Sequence, residues 1–362
     1  MPTADPDWAA DASGRGRPAD YEDREGTTTM MNSFRISRRG ALLGSAGLLA
    51  APSIARGQGQ VRLTLGHNAA RGNPRWVAAD HFAELVRTRS GGRIEVRVAG
   101  AAQLGDDLAM LTGLRTGTLD MSVNSQGPAS SLVPEMAALS LPFLFATNAQ
   151  AYRLVDGAVG QSLARRFEPL GLLLISYWDN GIRHITNSRR PIVNPEDLRG
   201  LKIRTPADPA TIDTFQALGA ATQQINFSEL YVALQQGVVD GQENPLANIH
   251  SSKLYEVNRF ISLSAHKWEC SPVLVSRIAR ARLSDADWRL LVDAMKEAEA
   301  MNRRIMVESD TKLLAEFKAN PNVAVNETNQ AAFRAATSGV LDAWERRPFG
   351  EFVREVRRAA TA

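Results

Sequence analysis

The sequence predicts an α/β protein with room for two lobes, and three observations carry that reading. Strand-like runs with period-two alternation recur between stretches of helical periodicity; the composition is that of a packed chain; and one proline-free helical stretch is long enough to span two lobes. At 362 residues the chain is well beyond what one small core requires. Hydrophobic residues make up 44% and charged residues 22%, with 27 Gly and 17 Pro, which excludes collagen-like and wholly disordered readings.

The elements follow in order. Val61 to Asn68 alternates Val61, Leu63 and Leu65 as one strand face requires. Asn73 and Pro74 then offer an N-cap and a first-turn proline to a helix whose Ala78, Phe82, Leu85 and Val86 share one face, and Gly91-Gly92 ends it. Ile94, Val96 and Val98 alternate with Glu95 and Arg97 as a second strand. Gln103 to Gly117 reads as a helix and Leu119 to Asn124 as a short strand. Ala149 to Phe167 then leads into the strand Gly171 to Trp178. The alternation continues through Leu201 to Pro206, Thr211 to Leu218, Thr222 to Asn226 and Glu229 to Gln236. Such a pattern predicts mostly parallel sheets, whose ligands lie outside the carboxyl ends of the strands. Ser284 to Lys318 opens with Ser284-x-x-Asp287 and contains no proline, so its helix would run roughly 50 Å. Gln330 to Ala343 and a basic amphipathic tail close the chain.

At the amino terminus Arg38 and Arg39 precede an uncharged span from Gly40 to Ala55, ending Ala50-Ala51-Pro52-Ser53-Ile54-Ala55. These sixteen residues are short against the roughly 20 of a membrane helix. A basic region, an apolar stretch and a small-x-small end make an export signal, and Ser37-Arg38-Arg39-Gly40-Ala41-Leu42-Leu43 resembles the twin-arginine type. A buried helix or membrane anchor is the other reading. Export of this kind places the remainder in the periplasm.

Several chemistries are excluded or unsupported. The 42 Lys+Arg against 39 Asp+Glu are interspersed, giving a formal +3 without the clustered basic, aromatic-interleaved pattern of a nucleic-acid binder. One cysteine, Cys270, rules out an internal disulfide, a four-cysteine zinc site and an iron–sulfur cluster. His67, His81, His184, His250 and His266 form no metal-ligating spacing, so no metal or cofactor is expected. Nucleophile elbow, Walker loop, His-Glu-x-x-His and dinucleotide fingerprint are all absent. Binding without turnover leads by elimination.

Two segments carry positive signal. In Gly200-Leu201-Lys202-Ile203-Arg204-Thr205-Pro206, Leu201, Ile203 and Thr205 face one side and Lys202 and Arg204 the other, with Arg204 at the carboxyl end of the strand. A guanidinium there offers a planar fork matched to both oxygens of a carboxylate and cannot be neutralised. The plain alternative is a strand-end arginine paired with an internal acid. The second segment runs from Asn226 to Pro245. Asn226 with Glu229 has the spacing of a capping box, and Leu230, Ala233 and Leu234 form the buried stripe. Gly237 ends the helix, and Val238-Val239 starts a strand that turns at Gly241. Asn244 before Pro245 is held extended, where its amide can reach a ligand. Phe227 can cover a solute or belong to the core.

Residues 226 to 245, with Leu201 to Pro206 and Gln103-Leu104-Gly105-Asp106-Asp107, resemble the DctP-type solute receptors of tripartite ATP-independent periplasmic (TRAP) transporters. The resemblance extends from Leu63-Thr64-Leu65-Gly66 to the carboxyl-terminal helices. It implies a two-lobe periplasmic binding protein fold with a hinge and a long helix across both lobes. The first lobe would be residues 56–181 with 270–309, and the second 182–269 with 310–362. Arg204 matches the arginine that grips the ligand carboxylate, Asn244 the asparagine that assists it, and Phe227 an aromatic lining the pocket. The spacing is similar to that of the sialic-acid-binding branch, which adds Asn68, Asp107 and Arg183, the last as a second cation over the carboxylate. That branch carries a glutamate after the strand Leu119 to Val123. This chain has Asn124-Ser125-Gln126 instead, so Ser125 replaces an acidic contact. Asp107 serves either a polyhydroxy ligand or the cap of its own helix, and the ligand stays open among sialic acid, sugar acids, keto acids and dicarboxylates.

The resemblance implies capture of a small organic acid by lobe closure, by a monomer that delivers it to the small and large subunits of a membrane permease. Two alternatives stand beside it: a ligand-sensing protein that contacts a receptor kinase, and a lyase-type enzyme using His67 or His184 with Asp107.

Overall fold

The computed structural model describes residues 60–361; the proposed export signal, residues 1 to 55, lies outside them. Nine strands join in one sheet: β1 (Val61–His67), β2 (Ile94–Ala99), β3 (Met121–Val123), β4 (Leu172–Asn187), β5 (Lys202–Thr205), β6 (Ala221–Gln224), β7 (Gly241–Asn244), β8 (Phe260–Ser276) and β9 (Ala324–Glu327). Their order is β2-β1-β3-β8-β4-β7-β5-β6, with β9 paired to β8.

The expectation of mostly parallel strands holds for five of the eight pairings, β8 with β9 among them, and the other four of these lie toward the two ends of this sheet. There β1 pairs with β2 and β3, and β5 with β6 and β7, all parallel. The middle is the long antiparallel ribbon of β4 and β8, 16 and 17 residues, which traverses both halves. The reason is topological: a chain that leaves one half and returns must cross twice in opposite directions. The β4 expectation stopped at Trp178 because apolar alternation stops there. The strand continues because Asp179, Asn180 and Arg183 are buried and satisfied by partners from other elements. Pairing between β4 and β8 breaks register at Leu174/Ser176, Asp179/Gly181 and Arg183/Ile185, and these irregularities bend the ribbon between the halves.

Each half has its own apolar clusters. Leu63, Leu65, Phe82, Val273 and Met295 pack on one side, and Leu230, Ile249, Ile261 and Phe317 on the other. The helix Asp285–Ala319 joins both: Leu291, Ala294, Met295 and Ala298 enter the first cluster, and Met306, Leu313 and Phe317 the second. The Ser284 hydroxyl caps it by accepting from the Asp287 N–H at 3.1 Å. The final helix, Gly350–Thr361, buries Phe352, Val353 and Val356 against Leu163 and Phe167, which belong to the half begun by β1.

Three local expectations are corrected. The helix read from Gln103 starts at Asp107, because Ala101, Ala102 and Gly105 all take positive φ and unwind the preceding turn. Asn226 makes no side-chain cap bond: Phe227–Glu229 is a separate 3-10 turn ahead of the helix Leu230–Gln235. Gly241 begins β7 rather than ending a strand. Its backbone lies so close to Thr186 O that an added Cβ would come within 2.4 Å.

Candidate functional site

Four strand ends converge on one cavity of about 40 Å³. Asn68 follows β1, Ser125 follows β3, Arg204 lies on β5 and Asn244 ends β7. Asp107, Arg183 and Phe227 complete the lining from the sequence reading, so all seven residues meet at one place. Asn68, Ser125, Arg204 and Asn244 sit at or just beyond the carboxyl ends of strands with parallel neighbours, the position at which open α/β sheets bind ligands, while Asp107 enters from a helix start, Phe227 from a 3-10 turn and Arg183 from within the antiparallel ribbon.

Arg204 is 3% exposed. Its register on β5, between Gln223 of β6 and Gln242 of β7, holds the backbone. Its Nε donates to the Ile225 carbonyl at 2.8 Å, and its guanidinium carbon lies 5.9 Å from the centre of the Phe227 ring. No carboxylate forms an ion pair with it among the described residues. Burial lowers its pKa from the ordinary value to about 10, against the opposing pull of Glu243. The alternative reading of a strand-end arginine paired with an internal acid is therefore set aside.

Arg183 differs. Its guanidinium reaches the Glu243 carboxylate at 2.5 and 2.6 Å and Glu269 Oε2 at 2.6 Å. Burial alone would lower its pKa; Glu243 and Glu269 more than reverse that and raise it. Arg183, expected as a second cation over the carboxylate, lines the cavity with its charge already matched by Glu243 and Glu269, and the fork of Arg204 stands apart. Lys267 is matched too, its Nζ lying 3.0 Å from Asp208 Oδ2.

The facing wall is built from amides and a carboxylate. Asp107 Oδ2 accepts from Asn68 Nδ2 at 2.7 Å, and its Oδ1 accepts from the Ser125 N–H at 2.8 Å and from Asn124 Nδ2 at 3.2 Å. Its side chain thus ties β1 to β3 and does not cap its own helix, which removes that alternative. Burial raises its pKa, with Arg75 opposing. Arg75 Nη1 donates to Asn68 Oδ1 at 2.7 Å, and Nη2 to Asn180 Oδ1 at 2.9 Å and Ser271 Oγ at 2.7 Å. Asn248 Nδ2 bridges Asn180 Oδ1 at 3.2 Å and Asn244 Oδ1 at 3.0 Å. One chain of hydrogen bonds therefore runs between the halves behind the cavity.

Sequence reasoning passed over Arg75, Asn180, Glu243, Asn248 and Glu269 as site residues. A usable signal was present: Lys267 and Glu269 stand among apolar residues within the buried strand β8, and charges survive there only when paired. The lyase alternative loses its candidates. His67 and His184 are not among the cavity's lining residues, and burial lowers both pKa values to about 3.

A two-half α/β molecule bridged by a β-ribbon and a long helix, with polar strand ends around a cavity, defines the class of two-lobe solute-binding proteins. Residues 65–347 match the family described as "Bacterial extracellular solute-binding protein, family 7" (DctP), and the chain belongs to that family, the solute receptors of TRAP transporters. Members of the family are periplasmic. The chain is 33% identical over 274 residues to the 2,3-diketo-L-gulonate-binding periplasmic protein YiaO of Escherichia coli, covering 76% of this chain and 84% of that one. It is 52% identical over 343 residues to an uncharacterized protein of Sinorhizobium fredii, a match that takes in 94% of this chain but only 62% of that relative's length. Among solved structures, the sugar acid binding protein of Advenella mimigardefordensis in complex with galactonate aligns with TM-score 0.81 and 31% identity, over 84% of this chain and 98% of that one.

Proposed function

We propose that this chain is an extracytoplasmic receptor that captures an organic acid by closing two lobes on its carboxylate and delivers it to a TRAP membrane permease. The observation that carries the reading is Arg204, a buried guanidinium fixed through Nε, facing a cavity, without a carboxylate partner among the described residues. A ligand carboxylate supplies the missing partner. In the open protein Arg204 is wet; closure removes the water, and the gained ion pair is the differential free energy that favours the closed state. Asn244 and Asn68 orient the ligand, Phe227 covers its carbon face, and Asp107 and Ser125 meet its far end. Arg183 acts by fixing the floor through Glu243 and Glu269.

The receptor binds without turnover and acts as a monomer, with small and large permease subunits as partners. Residues 56–181 with 270–309, joined by the final helix Gly350–Thr361 that packs on Leu163 and Phe167, form one lobe and the remainder of the folded chain the other, closing about the β4–β8 ribbon. Export through the twin-arginine-like segment Ser37 to Leu43 completes the reading. Relatives that bind diketo-gulonate and galactonate support a sugar-acid or related carboxylate ligand.

The test is thermal shift and calorimetric titration of the exported protein against a panel of organic acids, beside Arg204→Ala and Arg204→Lys. A ligand selective for the native state raises Tm. Removing one partner of a buried charge pair costs about 2–5 kcal/mol, so Arg204→Ala weakens capture tens- to thousands-fold. Arg204→Lys also fails substantially, because an ammonium cannot reproduce the fork. Near-normal affinity in both folded variants would end the proposal.

A further inference from the structure

We propose that Asn248 is a positioning residue for the carboxylate site: oriented from across the two halves by Asn73, it turns the Asn244 amide so that an N–H, and not the carbonyl, faces the ligand. This deepens the carboxylate-capture reading and rests on it. Asn73 precedes the helix Pro74–Arg89 in the half begun by β1. Asn248 belongs to the helix Leu246–Ser251, whose Leu246 and Ile249 enter the apolar cluster of the other half. A side-chain amide has one acceptor oxygen and one donating NH2, so a bond made at one end decides what the other end offers. Asn73 Oδ1 is committed to the backbone, accepting from the Arg75 N–H at 2.9 Å. Its Nδ2 is therefore what reaches across, donating to Asn248 Oδ1 at 2.9 Å and to Ser251 Oγ at 3.1 Å. With its oxygen filled, Asn248 presents Nδ2, which donates to Asn244 Oδ1 at 3.0 Å. The same Nδ2 lies 3.2 Å from Asn180 Oδ1, which also accepts from Arg75 Nη2 at 2.9 Å. A guanidinium can only donate, so this oxygen too requires an N–H from Asn248.

The far side of Asn244 is fixed in the same sense. Its Nδ2 donates to Gln242 Oε1, Gln242 Nε2 donates to Thr186 Oγ1 at 2.8 Å, and the Thr186 hydroxyl donates to Asn258 Oδ1 at 3.1 Å. Asn258 Nδ2 in turn donates to the Val257 and Asp240 carbonyls at 3.0 and 3.3 Å. Backbone groups thus anchor the series at both ends, and every amide in it points one way. Asn73, Thr186, Gln242, Asn244, Asn248 and Asn258 are all at most 8% exposed, so a reversed amide would leave buried groups unsatisfied. The second hydrogen of Asn244 Nδ2 remains for the cavity that Asn244 and Arg204 both line. A carboxylate only accepts, so this orientation adds a donor to the Arg204 fork, whereas a reversed Asn244 would set oxygen against oxygen. Opening the halves parts Asn73 from Asn248 and frees the series at that end, so closure sets the donor in place.

The test is calorimetric titration of the exported protein with a panel of aldonates, uronates and dicarboxylates of about four to six carbons. The tightest-binding acid is then compared across Asn248→Ala, Asn244→Ala, Asn73→Ser and the two double variants that contain Asn248→Ala. Asn248→Ala and Asn244→Ala should each raise Kd at least about fivefold. Their double variant should bind no more than about threefold weaker than the weaker single one, because members of one hydrogen-bond network are not additive. Serine keeps an acceptor for the helix cap but withdraws the donor to Asn248. Asn73→Ser should therefore leave the ligand-free unfolding midpoint near that of wild type while raising Kd at least about threefold, and this effect should vanish in the Asn248→Ala background. A smaller loss in any single variant, losses that multiply in the Asn244/Asn248 double variant, or an Asn73→Ser effect that persists without Asn248 overturns the inference and leaves carboxylate capture intact. Binding of no acid in the panel, or an unchanged Kd in Arg204→Ala, overturns the carboxylate reading itself and this inference with it.

Discussion

The Ser228 hydroxyl donates to the Asp106 carboxylate at 2.5 Å, and the Ser228 backbone N–H points to the same carboxylate at 3.4 Å. Asp106 precedes the helix Asp107–Thr116 in one half, and Ser228 precedes the helix Leu230–Gln235 in the other. Their chain neighbours, Asp107 and Phe227, line the cavity. The Asp106 side chain forgoes the cap of its own helix to make this reach, so the contact ties lobe closure to the walls around the ligand. Ser228→Ala removes one hydrogen bond to a charged but exposed group, a loss of about 0.5–1.5 kcal/mol. The expected outcome is a twofold to roughly tenfold rise in Kd, carried by faster dissociation, with the association rate nearly unchanged. Stopped-flow kinetics with an unaltered dissociation rate would show that the contact does not hold the closed form.

Arg204 and Arg183 lie in the same cavity and should respond oppositely when removed. Burial penalises the charge of Arg204, as its pKa of about 10 records, and no internal carboxylate depends on it. Arg204→Ala should therefore leave ligand-free stability unchanged or raised while weakening capture tens- to thousands-fold. Arg183→Ala leaves Glu243 and Glu269 without their main partner, and breaking such a buried pair costs about 3–5 kcal/mol. Denaturant unfolding of the two variants without ligand separates these outcomes. A large loss in Arg204→Ala would mean that its role is structural.

How far the residues announced this arrangement depends on how local the controlling physics is. The cap of the helix Pro74–Arg89 is a three-residue matter, and Asn73 accepts from the Arg75 N–H as its sequence position requires. The convergence of Asn68, Ser125, Arg204 and Asn244 follows from strand ends, which alternation reveals. The state of Arg183 was hidden because its partners, Glu243 and Glu269, lie 60 and 86 positions away on two other strands. Resemblance supplied a position for it, and only packing shows that its charge is spent internally. The β4–β8 ribbon was hidden for a similar reason: its middle is polar, and alternation cannot distinguish a buried satisfied polar strand from a loop.

Gly181 lies at one of the register breaks of that ribbon, with φ of +113°. A Cβ there would come within 2.8 Å of Met306 Cε and 3.0 Å of Pro245 Cβ. Methionine can swing aside, but the proline is fixed in the turn after β7. Gly181→Ala combines a strained backbone with this contact, for an expected loss of about 1–3 kcal/mol. Gly171→Ala, also at positive φ but in open space, bears the backbone cost alone and should lose less. Equal losses in the two variants, measured by denaturant unfolding, would remove the contact from the account.

His67 gives the fold a pH dependence whose sign can be stated. The ring is fully buried at the end of β1, lies edge-on to Trp76 at 5.1 Å between centroids, and neither nitrogen has a hydrogen-bond partner. Burial first, and Arg75 second, lower its pKa from 6.5 to about 3. Between those values the unfolded chain carries a proton on this ring that the native protein refuses, so stability falls as pH drops from 6.5 toward 3. Asp179, raised to about 6, and Asp310, raised to about 7, tilt the curve the other way, losing stability as pH rises through that range. They are common to wild type and variant and cancel in the difference. His67→Leu should therefore reduce the slope of stability against pH by about 1.4 kcal/mol per pH unit near pH 5. It should also raise stability at pH 7.5, because it removes two unpartnered buried nitrogens. Parallel stability curves for the two proteins between pH 4 and 6 would contradict the buried neutral ring.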